Sequence, residues 1–204
     1  KWRRAKDVLD AKHMQATEYE TMADPCYMKQ QTGELSENVR AIIIDWVMNV
    51  HMKYKLWPET LFITINLIDR YFSIQTEIKK SDVQLVAVAA LVIATKYEEI
   101  YPPTVKDFIY VSSNAYTRPQ ILLMEKEILF GLQFQISETS PYRFLERYSK
   151  IAQTDSVLFY LAQYLLELAL LDSKMAQYPS SLQASAALYV ALRTTLIDSL
   201  TRLG

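Results

Sequence analysis

Val83-Gln84-Leu85-Val86-Ala87-Val88-Ala89-Ala90-Leu91-Val92-Ile93-Ala94 is apolar on every side and carries four alanines. A helix of that kind belongs in the middle of a bundle, where small side chains let its neighbours approach closely. It is too short to span a bilayer. Working outward, Ser81 and Asp82 are read as its start. Before them, Pro58 stands as the first residue of a helix bearing Leu61, Ile65, Ile68 and Phe72. Earlier still, Val39, Ile42, Ile43, Trp46, Val47, Val50 and Tyr54 form an i, i+3, i+4 stripe behind the N-cap Ser36.

On the other side, Pro102-Pro103 stops the central element, and Thr104 with Asp107 spells a capping box for a short helix. Thr117 and Gln120 repeat the device for a helix with Ile121, Leu122, Met124, Ile128 and Leu129, and Gly131 suits its C-cap. Five helices thus fit between Ser36 and Gly131. The order then restarts. Thr139 to Pro141 opens a helix bearing Phe144, Leu145 and Tyr148; Asp155 caps another through Leu158, Leu161, Leu165 and Leu168; and Pro179-Ser180 leads into a second alanine-rich helix, Ala184 to Ala191. Matching alanine-rich helices suggest an internal repeat, with only about three helices in the second copy. Upstream, the charged stretch Trp2 to Tyr19 reads as a surface helix, and Met22 to Gly33, with Pro25, as a linker. The expected division is 1–34 for helix and linker, 35–135 for one bundle and 136–204 for a second, truncated one.

Composition agrees with an all-α chain: 3 Gly against 7 Met, 14 Tyr and 7 Phe leaves little for tight turns or phosphate loops. A net charge of -1 supplies no global field toward nucleic acid or an anionic membrane, so neither is expected as a partner. Cys26 is the only cysteine, which excludes an internal disulfide and fits the nucleus and cytoplasm. The chain begins at Lys1 rather than Met, so a fragment is expected, with targeting or degradation signals upstream.

No catalytic constellation emerges. There is no glycine-rich phosphate loop, and His13 and His51 are far apart, so no metal or cofactor is expected. Ser140 and Ser180, beside prolines, fit helix caps better than nucleophiles. Adjacent Glu98 and Glu99 would point in different directions, which favours a solvated or partner-facing role over paired acid and base.

Val39-Arg40-Ala41-Ile42-Ile43-Ile44-Asp45-Trp46 closely resembles the MRAIL-containing helix of the cyclins. Lys96-Tyr97-Glu98-Glu99-Ile100-Tyr101-Pro102-Pro103 is similar to the family's KYEE(I/M)YPP signature, Ile68-Asp69-Arg70-Tyr71-Phe72 to its IDRF segment, and Gln84-Leu85-Val86 to its QLV. Tyr116-Thr117 and Met124-Glu125 match the fifth helix, and Glu167 to Asp172 with Tyr178-Pro179-Ser180 match the second box. Val50-His51-Met52-Lys53-Tyr54 looks like the element of B-type cyclins, where A-type chains carry acidic residues; His51 and Lys53 read equally well as exposed polar positions.

The resemblance implies a tandem cyclin-box fold and a non-catalytic subunit that binds and activates a cyclin-dependent kinase at G2/M. It implies a kinase-binding face of Ile93, Lys96, Tyr97, Glu125, Leu129, Phe134 and Ile136, drawn from the third and fifth helices and a strand-like segment after Gly131. It also implies a docking patch for Arg-x-Leu peptides: Val39, Ile42, Ile43, Trp46, Val83 and Gln84. Asn49 stands there where A-type cyclins place a glutamate for the peptide's arginine, so weaker or altered motif binding is expected. Two other readings stay open. Lys96 and Glu125 could form only an internal salt bridge. A cyclin-fold transcription-related or scaffold protein is the functional alternative, though the near-neutral charge counts against a basic nucleic-acid face.

Overall fold

The computed structural model describes residues 12–136 and 139–201, with side chains 196–201 left aside; Trp2, Val8 and Leu9 of the first expected helix lie outside this range. Among the described residues the structure is helical with no strand. The chain divides into two compact units, one of residues 21–138 and 171–177, the other of residues 1–20, 139–170 and 178–204.

In the first unit α1 (Glu37–Tyr54), α2 (Pro58–Ile74), α3 (Lys80–Glu98), α4 (Val105–Val111) and α5 (Arg118–Gly131) surround a core in which α3 packs against all four others. Every residue of α3 from Val86 to Thr95 is buried, the alanines completely. That is how alanine determines position here: with no bulk beyond Cβ, the helix can be approached from several sides. The second unit contains α6 (Pro141–Ala152), α7 (Ser156–Ala169) and α8 (Ser180–Thr201), packed pairwise. Unlike α3, α8 is buried on one side, through Ala184, Ala187, Leu188 and Ala191, and exposes Leu182, Tyr189 and Val190.

Local caps form as read: the side chains of Ser36, Ser140 and Asp155 accept from Val39, Arg143 and Leu158 amides, and both capping boxes are present. At three helix starts distant glutamates accept from the first amides, a feature the sequence reading did not assign. Ser81 and Asp82 do not cap α3; Glu34 Oε2 accepts from Lys80 N at 2.8 Å. Ser180 is the first residue of α8, and the buried Glu18 carboxylate accepts from Ser181 N and Oγ, each at 2.8 Å. At α2, Glu99 Oε1 accepts from Trp57 N at 2.8 Å and Thr60 Oγ1 at 2.6 Å. A carboxylate at a helix N-terminus satisfies orphan amides and opposes the positive end of the helix dipole. Glu99 is therefore a structural cap rather than a solvated or partner-facing acid.

Residues 22–33 are no free linker. Tyr27, in the short helix Tyr27–Gln30, is buried, and its phenol donates to Asp69 Oδ1 at 2.7 Å. Asp24 N donates to Ser73 Oγ, and Gln31 Nε2 to the Phe72 and Gln75 carbonyls, so the segment is sewn along α2. Gly33 sits where an added Cβ would come within 2.6 Å of the Ile78 carbonyl oxygen. Gly131 is also not the left-handed C-cap expected. It is the last residue of α5, where an added Cβ would come within 2.7 Å of Ile74 Cδ1, and positive φ angles fall on Gln133 and Phe134. The segment after Gly131 is accordingly a turn, not an extended strand.

At the centre of the first unit Arg40 of α1 meets Asp69 of α2 through Nε to Oδ1 at 2.8 Å and Nη2 to Oδ2 at 2.7 Å, while Nη1 reaches the Leu171 carbonyl at 3.4 Å. Burial alone would lower the Arg40 pKa; the Asp69 charge outweighs it and holds the guanidinium charged. Burial first, then the Asp69 charge, raises the Tyr27 phenol and keeps it a donor. Asp69→Asn is expected to destabilise the chain by about 3–5 kcal/mol, because it leaves Arg40 buried without its counter-charge. Urea unfolding followed by circular dichroism measures it, and a change below about 1 kcal/mol would contradict this account of the core.

Candidate functional site

Two surfaces of the first unit gather the residues singled out by sequence. On the first, the C-terminal end of α3 faces α5. Lys96 Nζ donates to Glu125 Oε1 at 2.7 Å and Oε2 at 3.0 Å, with the two side chains 50% and 13% exposed. Half-exposed ammonium and shielded carboxylate form a pair whose contribution to stability is modest, on the order of 0–1 kcal/mol. Around it, Tyr97 and Phe134 are exposed, and Leu129 and Ile136 are half-buried. Ile93, only 3% exposed, belongs to the core beneath them. Phe130, which the sequence reading did not select, is exposed and packs edge-on to Phe134 at 5.3 Å between centroids. Its signal lay in the sequence: a large aromatic on α5 four residues before Phe134 and four after Lys126, whose ammonium sits 5.7 Å from its ring.

Phe134 is placed by the turn after α5. Its amide donates to the Leu129 carbonyl at 2.8 Å, and Gln135 N donates to the Leu132 carbonyl at 3.0 Å. The surface therefore combines exposed aromatic rings with one polar pair able to meet backbone groups of another chain. That is the composition of an interface centre, where aromatics supply desolvated anchors.

The second surface is a groove of about 230 Å³ between α1 and the start of α3, lined by Val39, Ile42, Ile43, Trp46, Lys80, Val83 and Gln84. The helical stripe cannot all face inward. Ile44 and Val47 are fully buried, Ile43 and Val83 form the groove floor, and Ile42 remains 71% exposed. Tyr116 Oη lies 3.4 Å from Gln84 Oε1 and fixes that amide at the groove's end. Lys80 was absent from the sequence reading. Asn49 is exposed, and its amide donates to the Asp45 carbonyl at 2.9 Å and carboxylate at 3.3 Å.

His51 and Lys53 are not equivalent surface positions. Lys53 is exposed, with its ammonium 5.0 Å from the Tyr110 ring centroid. His51 is partly buried: Nε2 lies 3.2 Å from the Leu56 carbonyl, and Nδ1 is buried with no protein partner. Among the described residues no group of three or more His, Cys, Asp or Glu side chains could hold a metal, and no helix is long and apolar enough to cross a membrane.

The family model for the cyclin N-terminal domain matches residues 10–137, and that for the cyclin C-terminal domain matches residues 139–202. The chain belongs to the cyclin family. Its relatives include B-type members: it is 49% identical to Cyclin-B2-2 of Arabidopsis thaliana over 165 residues, covering 81% of this chain and 38% of that protein. It is 40% identical to the G2/mitotic-specific cyclin-B of Arbacia punctulata over 194 residues, covering 95% and 46%. The chain thus spans less than half the length of these relatives. The fold is shared with a viral cyclin from herpesvirus saimiri, known from an X-ray structure, at a TM-score of 0.81 and 19% identity over 91% of this chain and 82% of that one. It is also similar to a chain in the CAK complex of Chaetomium thermophilum bound to ATP-γ-S, with a TM-score of 0.62 and 16% identity over 96% and 73%.

Burial is the first cause that lowers the His51 pKa; the Glu99 carboxylate pulls the other way and is outweighed. The unfolded chain therefore takes up the proton more readily than the folded one. His51 is expected to favour the folded state fully above the ordinary imidazole pKa of about 6.5 and to lose that contribution as pH falls below it. Comparing wild type with His51→Gln in urea unfolding from pH 7.5 to 5 isolates the effect. Parallel stability curves for the two would exclude it.

Proposed function

We propose that this cyclin is the regulatory subunit of a cyclin-dependent Ser/Thr kinase, acting at G2/M in the nucleus and cytoplasm. The single observation that carries the reading is the Lys96–Glu125 pair set among exposed Tyr97, Phe130 and Phe134 in a chain of the cyclin family. Ile93, Lys96, Tyr97, Glu125, Leu129, Phe134 and Ile136 are assigned to the kinase-binding face, with Ile93 supporting it from below.

In this mechanism the cyclin contributes no reacting atom. It binds the active conformation of the kinase more tightly than the inactive one and shifts the population accordingly. Holding the kinase's mobile helix inward brings its glutamate to the ATP-binding lysine, while the activation segment opens. Lys96 and Glu125 exchange part of their mutual bond for backbone groups of that helix. Because the pair is worth little to the isolated chain, removing it should separate activity from folding.

The groove is assigned to Arg-x-Leu substrate or inhibitor peptides: apolar side chains on Ile42, Ile43, Trp46 and Val83 receive the leucine. Asn49 cannot neutralise the peptide's arginine, and its amide is already bonded to Asp45. The carboxylate that this amide meets is that of Asp45, one turn earlier. Weaker or altered motif recognition follows.

Mixing the chain with a monomeric cyclin-dependent kinase should produce a stable complex and phosphorylation of a histone-like substrate. Lys96→Ala combined with Glu125→Ala is expected to abolish activation while leaving helical content unchanged; unfolding of the double variant would instead assign the pair to the fold. Asn49→Glu is expected to tighten binding of an Arg-x-Leu peptide by about tenfold in fluorescence anisotropy at low salt, the worth of one added charge-assisted bond. An unchanged affinity would remove Asn49 from the docking site.

A further inference from the structure

We infer that Arg70 is a positioning residue for the proposed kinase-binding face: its guanidinium holds the turn at 132–136 in the conformation that presents Phe134. The inference rests on the kinase-binding reading for its consequence, though not for its geometry.

The turn departs from regular structure where the face needs it. Gln133 and Phe134 have φ of 52° and 59°, two successive left-handed residues with side chains, a conformation disfavoured by contact of Cβ with the backbone. Its own hydrogen bonds are short-range: Leu132 N to the Ile128 carbonyl, Gln133 N to Phe130 and Phe134 N to Leu129 at the end of α5, with Gln135 N to Leu132 and Ile136 N to Phe134 inside the turn. Bonds of that kind can follow a local rearrangement of the helix end and do not fix the turn against the rest of the unit. Phe134 itself is 58% exposed and cannot anchor the turn by burial.

Arg70 supplies a long-range anchor. It lies on α2, is 7% exposed, and donates from Nη1 to the Gln135 carbonyl at 2.7 Å, 65 residues away in sequence. A charged donor in so sheltered a place makes a strong bond to a neutral carbonyl. The guanidinium is itself oriented: Nη1 lies 3.4 Å from Asn66 Oδ1, one turn earlier on α2, and Asn66 Nδ2 donates to the Thr21 carbonyl at 2.9 Å. α2 also carries Ile74, whose Cδ1 lies where a side chain at Gly131 would begin, so the end of α5 is seated on α2 immediately before the turn. One face of α2 thus fixes both where α5 ends and which way the following residues go.

The test uses Arg70→Met, which keeps an aliphatic stem and removes the donors, and Arg70→Lys, which restores one. Amide hydrogen exchange is read at Phe134 and Gln135, with the α3 amides from Ala87 to Ala94 as an internal control, and kinase affinity is read by titration. Arg70→Met is expected to speed exchange at the turn by about tenfold and weaken kinase binding by a similar factor, with α3 unchanged and Arg70→Lys recovering part of both. Unaltered exchange at the turn overturns the inference. So does faster exchange throughout α3, which would make Arg70 a core residue, and so does a loosened turn with wild-type affinity. If the wild-type chain binds no kinase, the functional reading falls by itself, and the exchange measurement still decides whether Arg70 holds the turn.

Discussion

The Arg40–Asp69 ion pair fixes the rotation of α1, and with it the existence of an outward groove. A guanidinium buried to this depth must face its carboxylate, since an unpaired buried charge is far costlier than any loss of apolar packing nearby. Once Arg40 points inward, helical periodicity carries Ile43, Ile44, Val47 and Val50 to the same side. Val39, Ile42 and Trp46 are then left outward, although they are as apolar as their neighbours. The patch is not a failure of packing; it follows from the one polar residue of the helix that had to be inside. Tyr27 and the Leu171 carbonyl close the same network, so the incoming segment and residue 171 are registered against α1 and α2 by the same pair of charges.

α2 and α3 divide the remaining work by chemistry. α3 is wholly apolar from Val86 to Ala94 and sets the distances between its neighbours. α2 carries several buried polar side chains: Thr60 and Thr64 near its start, Asp69 and Arg70 further along, with Ser73 close behind. Of these, Asp69 and Ser73 receive Tyr27 and the Asp24 amide, and Arg70 receives the Gln135 carbonyl of the turn at 132–136. Buried backbone groups require partners, and a helix bearing hydrogen-bonding side chains at successive turns can supply them where another apolar helix could not.

What was legible in the sequence was what is decided locally. Ser36, Asp155 and the two Thr-led boxes lie three residues from the amides they satisfy, and the α3 run declares its burial by composition. The three glutamate caps were not legible, because Glu34, Glu99 and Glu18 act on amides 46, 42 and 163 residues away. The same distance hid Tyr27 inside an apparent linker, its partner Asp69 being 42 residues on. The turn after α5 was hidden differently. Leu132, Phe134 and Ile136 alternate with glutamines, which is the period of a strand, but no neighbouring strand exists among the described residues, and the end of α5 offers free carbonyls instead. The motifs brought out Lys96 with Glu125, which the fold pairs, and the residues that line the groove, yet could not say that Ile93 lies beneath the surface or that Lys80 lies on it.

The two proposed faces share α3, and this constrains how they can work together. Val83 and Gln84 stand at its first turns and Lys96 and Tyr97 at its last, 13 positions apart, or about 20 Å along a helix. Between them every residue from Val86 to Thr95 is buried, so the intervening stretch is braced by its neighbours and cannot bend to bring the faces together. A peptide in the groove and a kinase at the far end would therefore bind without competing for surface, held at a spacing set by the helix. A docked peptide then gains effective concentration at the kinase only if the chain between its motif and its phosphorylated residue can span the remaining gap. Were both faces used as proposed, substrate choice would depend on the length of that connecting segment as well as on the affinity of the groove. Weak recognition at Asn49 would select for substrates whose spacing is right rather than for those whose motif binds most tightly.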